Sequence, residues 1–125
     1  GRAPLGNPAM NLYHCMIDLK SDARAISFAL ALDAWMTLLR DQGRIGTWRL
    51  LRRKLNLAGD GCADFLLEIE VEDMAQLDAA FRFLGQAGDD AIRRYDQMHQ
   101  HIARVDFGLY RPYPDPERAE RLAIL

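Results

Sequence analysis

Apolar and polar residues alternate over 11–19, NLYHCMIDL. Tyr13, Cys15, Ile17 and Leu19 fall on one side and Leu12, His14, Met16 and Asp18 on the other, which predicts a strand with one apolar and one mixed face. Ser21 then stands as an N-cap, with Asp22 favourable to the helix dipole in the first turn. From Asp22 to Gln42 the period changes: Phe28, Leu32, Trp35 and Leu39 recur at spacings of four, three and four, an amphipathic helix that Gly43 ends.

Residues 47–57, TWRLLRRKLNL, read as a second strand, with Leu51, Leu55 and Leu57 on one parity and Trp48, Leu50, Arg52, Lys54 and Asn56 on the other. The turn-rich AGDGCAD leads to the clearest strand, 65–72, FLLEIEVE: Phe65, Leu67, Ile69 and Val71 face one way, Leu66, Glu68, Glu70 and Glu72 the other. These two should form an antiparallel hairpin. Placing Leu55 opposite Leu67 sets Leu57 against Phe65 and Leu51 against Val71, and pairs Lys54 with Glu68 and Arg52 with Glu70. Arg53 is the misfit on the apolar side.

Asp73 and Gln76 have capping-box spacing, followed by a helix with Leu77, Ala80, Phe81 and Leu84 on one stripe. Gly85 and Gly88 interrupt it. Asp89 then caps a further helix with Ile92, Tyr95, Met98 or His99, and Ile102 inward. Residues 105–111, VDFGLYR, alternate as a fourth strand. The proline-rich tail has room for one or two helical turns from Pro116.

Composition changes this picture little. Half of the 125 residues are hydrophobic and 27% charged, an ordinary globular balance. A net charge of −2 offers no basic field for nucleic acid, and no apolar run suits a membrane span. Residues 1–9 lack a secretory signal's apolar stretch and read as an extension or tag remnant, residues 10–113 as one domain, and 114–125 as a tail. Cys15 and Cys62 have neither redox nor metal-ligand spacing, so two free thiols in a reducing cytoplasm are expected, Cys15 inert in the core.

The order β-α-β-β-α-β, with a second piece added to the last helix, is the ferredoxin-like arrangement of the α+β class: a four-stranded antiparallel sheet with helices on one face. The first and third strands are central. The open face would carry Leu12, His14, Met16, Trp48, Leu50, Arg52, Leu66, Glu68 and Glu70, with either Tyr110 or Phe107 and Leu109 from the fourth strand. That mixture is too apolar for water and too charged for a core, and a second copy packed sheet to sheet would cover it.

On these grounds, and on the stretches NLYHCMIDLKSDAR and WRLLRRKLNLAGDG, the chain resembles an uncharacterised bacterial family of the dimeric α+β barrel superfamily over roughly Met10 to Tyr113. The resemblance implies a homodimer with a pocket between facing sheets. Relatives in that superfamily include small monooxygenases, isomerases, haem-handling enzymes and ligand sensors. None of their catalytic signatures maps onto this chain, so no residue role is carried over.

The candidate catalytic set is His14 with Glu68 and Glu70, a histidine beside carboxylates on adjacent strands, suited to proton transfer. Arg52, Trp48, Met16 and Tyr110 are candidate ligand contacts, with Arg52 suited to an anionic group. No metal site is expected: His99 and His101 lie two apart on a helix, at the surface, and H-E-x-x-H is absent. No cofactor motif appears. WRLLRRK is paired by the neighbouring glutamates rather than by nucleic acid. The expected function is a cofactor-independent isomerase or monooxygenase-like enzyme acting on a small organic or anionic molecule. The alternatives are a non-catalytic sensor and a purely structural dimer held by the same charge network.

Overall fold

The computed structural model describes residues 11–54, 59, 61–86 and 88–114, with the backbone alone for Leu84. Within them the order is β1 (Asn11–Leu19), α1 (Ala25–Asp41), β2 (Trp48–Arg52), β3 (Phe65–Val71), α2 (Met74–Gln86), α3 (Asp89–His99) and β4 (Ile102–Tyr110). The strands form one antiparallel sheet in the order β2-β3-β1-β4, with β1 and β3 central as expected.

Period-two burial is sharpest on β3, where Phe65, Leu67, Ile69 and Val71 are buried. Opposite them on β1, Cys15 and Ile17 are buried on the same face. The helices close over this face through Phe28, Leu32, Trp35, Met36 and Leu39 of α1, Leu77 of α2, and Ala91 and Met98 of α3. Phe28 is wholly inaccessible. Among the described residues, no helix covers the open face.

Local chemistry sets the helix ends. At the end of α1, Gly43 adopts φ +71° and donates to the Arg40 carbonyl, while Arg44 donates to that of Leu39, each at 2.9 Å. That is the Schellman pattern, which favours glycine because it lacks a Cβ. A variant of the capping box forms at α2: Asp73 Oδ1 accepts the Gln76 N–H at 2.8 Å, and Gln76 Oε1 reaches one residue past the cap to accept the N–H of Glu72 at 2.6 Å. Gln76 also donates to the Gly43 carbonyl at 3.1 Å, tying the two helix ends together.

Several expectations are corrected. α1 starts at Ala25 rather than Asp22, with Arg24 as N-cap, because a turn intervenes in which Ala23 donates to the Lys20 carbonyl. Gly88, not Asp89, is the N-cap of α3, and Ile92 and Phe81 are exposed. The largest correction is the register of β2. Trp48 lies opposite Ile69, Leu50 opposite Leu67 and Arg52 opposite Phe65. Trp48, Leu50 and Arg52 therefore share the helix-side face, while Arg49 and Leu51 take the open one. A strand of this length can turn either Trp48 with Leu50 or Leu51 inward, and the first choice buries more apolar surface. Leu55, Leu57 and the expected tail helix lie outside the described residues.

Candidate functional site

The open face is organised by one row crossing all four strands: Arg49, Glu68, His14 and Gly108. Glu68 is the hinge of the row. Its Oε1 accepts a hydrogen bond from Arg49 Nε, and its Oε2 lies 3.5 Å from His14 Nε2. Arg49 takes the pairing expected of Lys54, because the true register brings it there. The Tyr110 ring lies 4.7 Å from the imidazole, tilted by 39°. Gly108 makes room for that contact: a Cβ there would meet Tyr110 Cε1 at 3.0 Å. His14 Nε2 is buried without a hydrogen-bond partner, a costly state for a polar atom. Leu12, Met16, Leu51 and Leu66 surround the row.

Of the expected site residues, the structure thus brings together His14, Glu68 and Tyr110. Glu70 stands opposite Leu12, one row along on the same face, and Met16 opposite Leu66. Trp48 and Arg52 are on the other side of the sheet. The Trp48 indole N–H is buried there without a partner, and the Arg52 guanidinium stands 5.6 Å from the Phe65 ring centre.

A second feature lies between the sheet and the helices. A cavity of about 230 Å³ is floored by Cys15, Leu67 and Ile69 and walled by Trp35, Tyr95 and Met98. Folded interiors seldom leave voids much larger than a water molecule. Tyr13, Phe81 and Phe107 line the side where the cavity meets solvent: Tyr13 stacks on Phe107 at 5.5 Å and meets Phe81 edge-on at 5.8 Å, and both phenylalanines are exposed.

The polar groups lining this cavity are few. Burial, and then the neighbouring Cys15, push the Tyr13 hydroxyl up to about 12, so at neutral pH it is a hydrogen-bond donor. Burial pushes the Cys15 thiol up to about 12 as well, leaving it a poor nucleophile. Tyr95 stacks against His99, rings 5.2 Å apart. His99 is exposed as expected, yet it lines this cavity. Sequence reasoning missed the cavity because its lining residues carry the same apolar periodicity as solid core. The available signal was the excess of aromatics, with Tyr13 and Phe81 at inward-reading positions and Phe107 on a strand whose inward face the alternation left open.

Among the described residues no three or more histidine, cysteine, aspartate or glutamate side chains gather as metal ligands, and no helix is long and apolar enough to cross a membrane.

Sheet order and helical cover on one face, with no helix on the other among the described residues, define a ferredoxin-like α+β domain. The chain belongs to a family of unknown function, DUF6614, whose model matches residues 10–125. No curated protein matches it. Similar solved structures include a dimeric protein of unknown function with a ferredoxin-like fold from Bacteroides fragilis, at 9% identity, covering 83% of this chain and 97% of that one, with a TM-score of 0.54. SnoaB, a cofactor-independent oxygenase from Streptomyces nogalater, aligns at 10% identity over 84% and 94%, TM-score 0.62. The hydroxynitrile lyase of Passiflora edulis aligns at 11% identity over 86% and 96%, TM-score 0.62. At these identities the likeness is one of fold.

Proposed function

We propose that the protein is a homodimeric small-molecule-binding domain that holds an apolar ligand between its sheet and its helices. The observation that carries this reading is the cavity of about 230 Å³ with its aromatic mouth. It exceeds the ~150 Å³ apolar void that admits benzene. Its chemistry suits an aromatic or alicyclic body with one polar end, to which Tyr13 donates a hydrogen bond. The two free thiols, Cys15 and Cys62, are consistent with a reducing compartment such as the cytoplasm. The likeness in fold to a cofactor-independent oxygenase and to a lyase makes catalysis on such a ligand a natural extension.

Trp35 in the cavity wall provides the test. In a Trp48→Phe background, 1-naphthol should change Trp35 fluorescence saturably. Ala80→Phe, which fills the cavity, should abolish that response with the fold intact. An unchanged response in the filled variant would refute the reading.

A second reading has its own observation, the buried Nε2 of His14, 3.5 Å from Glu68 but without a hydrogen bond, on the face that no described helix covers. Here a partner copy covers that face, and His14, Glu68 and Glu70 serve proton transfer in a chamber between the sheets, with Met16 and Tyr110 as ligand contacts. Arg52 and Trp48 have no part in this chamber. His14→Phe abolishes turnover under this reading, while under the first it leaves the 1-naphthol response intact.

A further inference from the structure

At the end of the sheet where α1 begins, three segments enclose a cleft of about 710 Å³: the loop following Leu19, the exit of β2 at Arg52–Lys54, and the entry to β3 at Asp64–Phe65. It shares no lining residue with the apolar cavity. The chain has only two lysines, Lys20 and Lys54, and the fold brings both to this cleft beside Arg52 and Arg53.

The carboxylate lining the cleft, Asp64, is already engaged. Its Oδ1 lies 3.3 Å from Arg53 Nη2, and its Oδ2 accepts the Leu19 N–H at 3.4 Å. Its own N–H donates to Asp18 Oδ1 at 3.0 Å, so the floor is tied to both central strands. Arg53 also donates to the Cys62 carbonyl at 3.3 Å. That leaves Lys20, Arg52 and Lys54 with no carboxylate within 4.0 Å among the described residues. Arg52 is steadied by the Phe65 ring instead. The first turn of α1, which opens onto the same cleft, has no acidic residue and no side-chain cap to oppose an anion.

Three uncompensated cations in one concavity repel one another, and a compact polyanion would relieve that repulsion. We infer that this cleft binds a small, multiply charged phosphate compound, of the pyrophosphate or phosphate-ester class. A long polyanion such as RNA fits less well, since Glu68 and Glu70 of the adjoining β3, Glu72 just past its end, and the chain's net charge of −2 would oppose its extension.

Inorganic pyrophosphate is the probe, titrated into the whole protein at physiological ionic strength and followed by amide chemical shifts and calorimetry. Saturable binding should appear, with shifts concentrated in residues 19–25, 52–54 and 64–65. The double variant Lys20→Ala/Lys54→Ala removes two exposed side chains, so the fold should persist, and affinity should fall at least about tenfold. Arg82→Ala, which breaks an exposed ion pair elsewhere, should bind as the parent does. The inference is overturned if millimolar pyrophosphate shifts no amide in the cleft, if the double variant binds as tightly as the parent, or if single-stranded RNA binds there and pyrophosphate cannot displace it.

Discussion

His14 and Glu68 face each other across the two central strands, with Nε2 3.5 Å from the carboxylate oxygen and no hydrogen bond between them. Arg49 holds the carboxylate's other oxygen, so Glu68 is anchored from β2 while the imidazole opposite is left unsatisfied.

Replacing the two residues should therefore have opposite effects on stability. His14→Phe removes an orphaned polar atom and keeps a ring beneath Tyr110, so unfolding in urea should be unchanged or harder by up to about 1 kcal/mol. Glu68→Gln leaves Arg49 without its ionic partner and should cost about 1 kcal/mol.

The uncovered face predicts self-association. The wild-type protein should sediment at twice the 14.2 kDa chain mass. Leu66→Lys places a charge between Met16 and Leu51 and should yield a folded monomer, recognised by an unchanged circular dichroism spectrum and half the mass.

Phe28 is the most deeply buried large side chain, packed on Phe65 at 5.5 Å and against His101 at 6.3 Å. Phe28→Ala should cost about 3–5 kcal/mol, enough to lower the thermal midpoint sharply or abolish folding. Gly43→Ala, strained at positive φ, should cost about 1 kcal/mol and leave the rest of the molecule unaltered.

Alkaline pH should destabilise the protein. Tyr13 and Cys15 titrate near 12 in the fold, above their usual values of 10.0 and 9.0, so the unfolded chain releases these protons first. The stability they contribute is fully present below about pH 9 and is lost as pH rises toward 12. Thermal midpoints should fall across that window, and less steeply in Cys15→Ala. A thiol reagent at neutral pH should modify exposed Cys62 promptly and buried Cys15 only on unfolding.

What the sequence revealed follows the range of the forces involved. β3 and the Asp73–Gln76 cap were legible because alternation and capping act over a few residues. The face of β1 carrying His14 was legible for the same reason. β2 was not: leucines occur on both of its parities, and only packing against the core selects Trp48 and Leu50. The expected and observed registers differ by an odd number of residues, so every side chain of β2 changed face. Arg52 left the expected chamber by that shift and arrived at the cationic cleft. The cavity and the cleft are products of tertiary assembly. Beyond the excess of aromatics, no local pattern distinguishes a lined void from solid core, and none brings Lys20 to Lys54.

β1 is bonded along both edges by partners that follow it in the chain, β3 and β4. On the ribosome it emerges before either of them. A nascent chain would thus present two unpaired ladder edges through most of its synthesis, exposed to adhesion with other chains, until the last strand docks and seals the second.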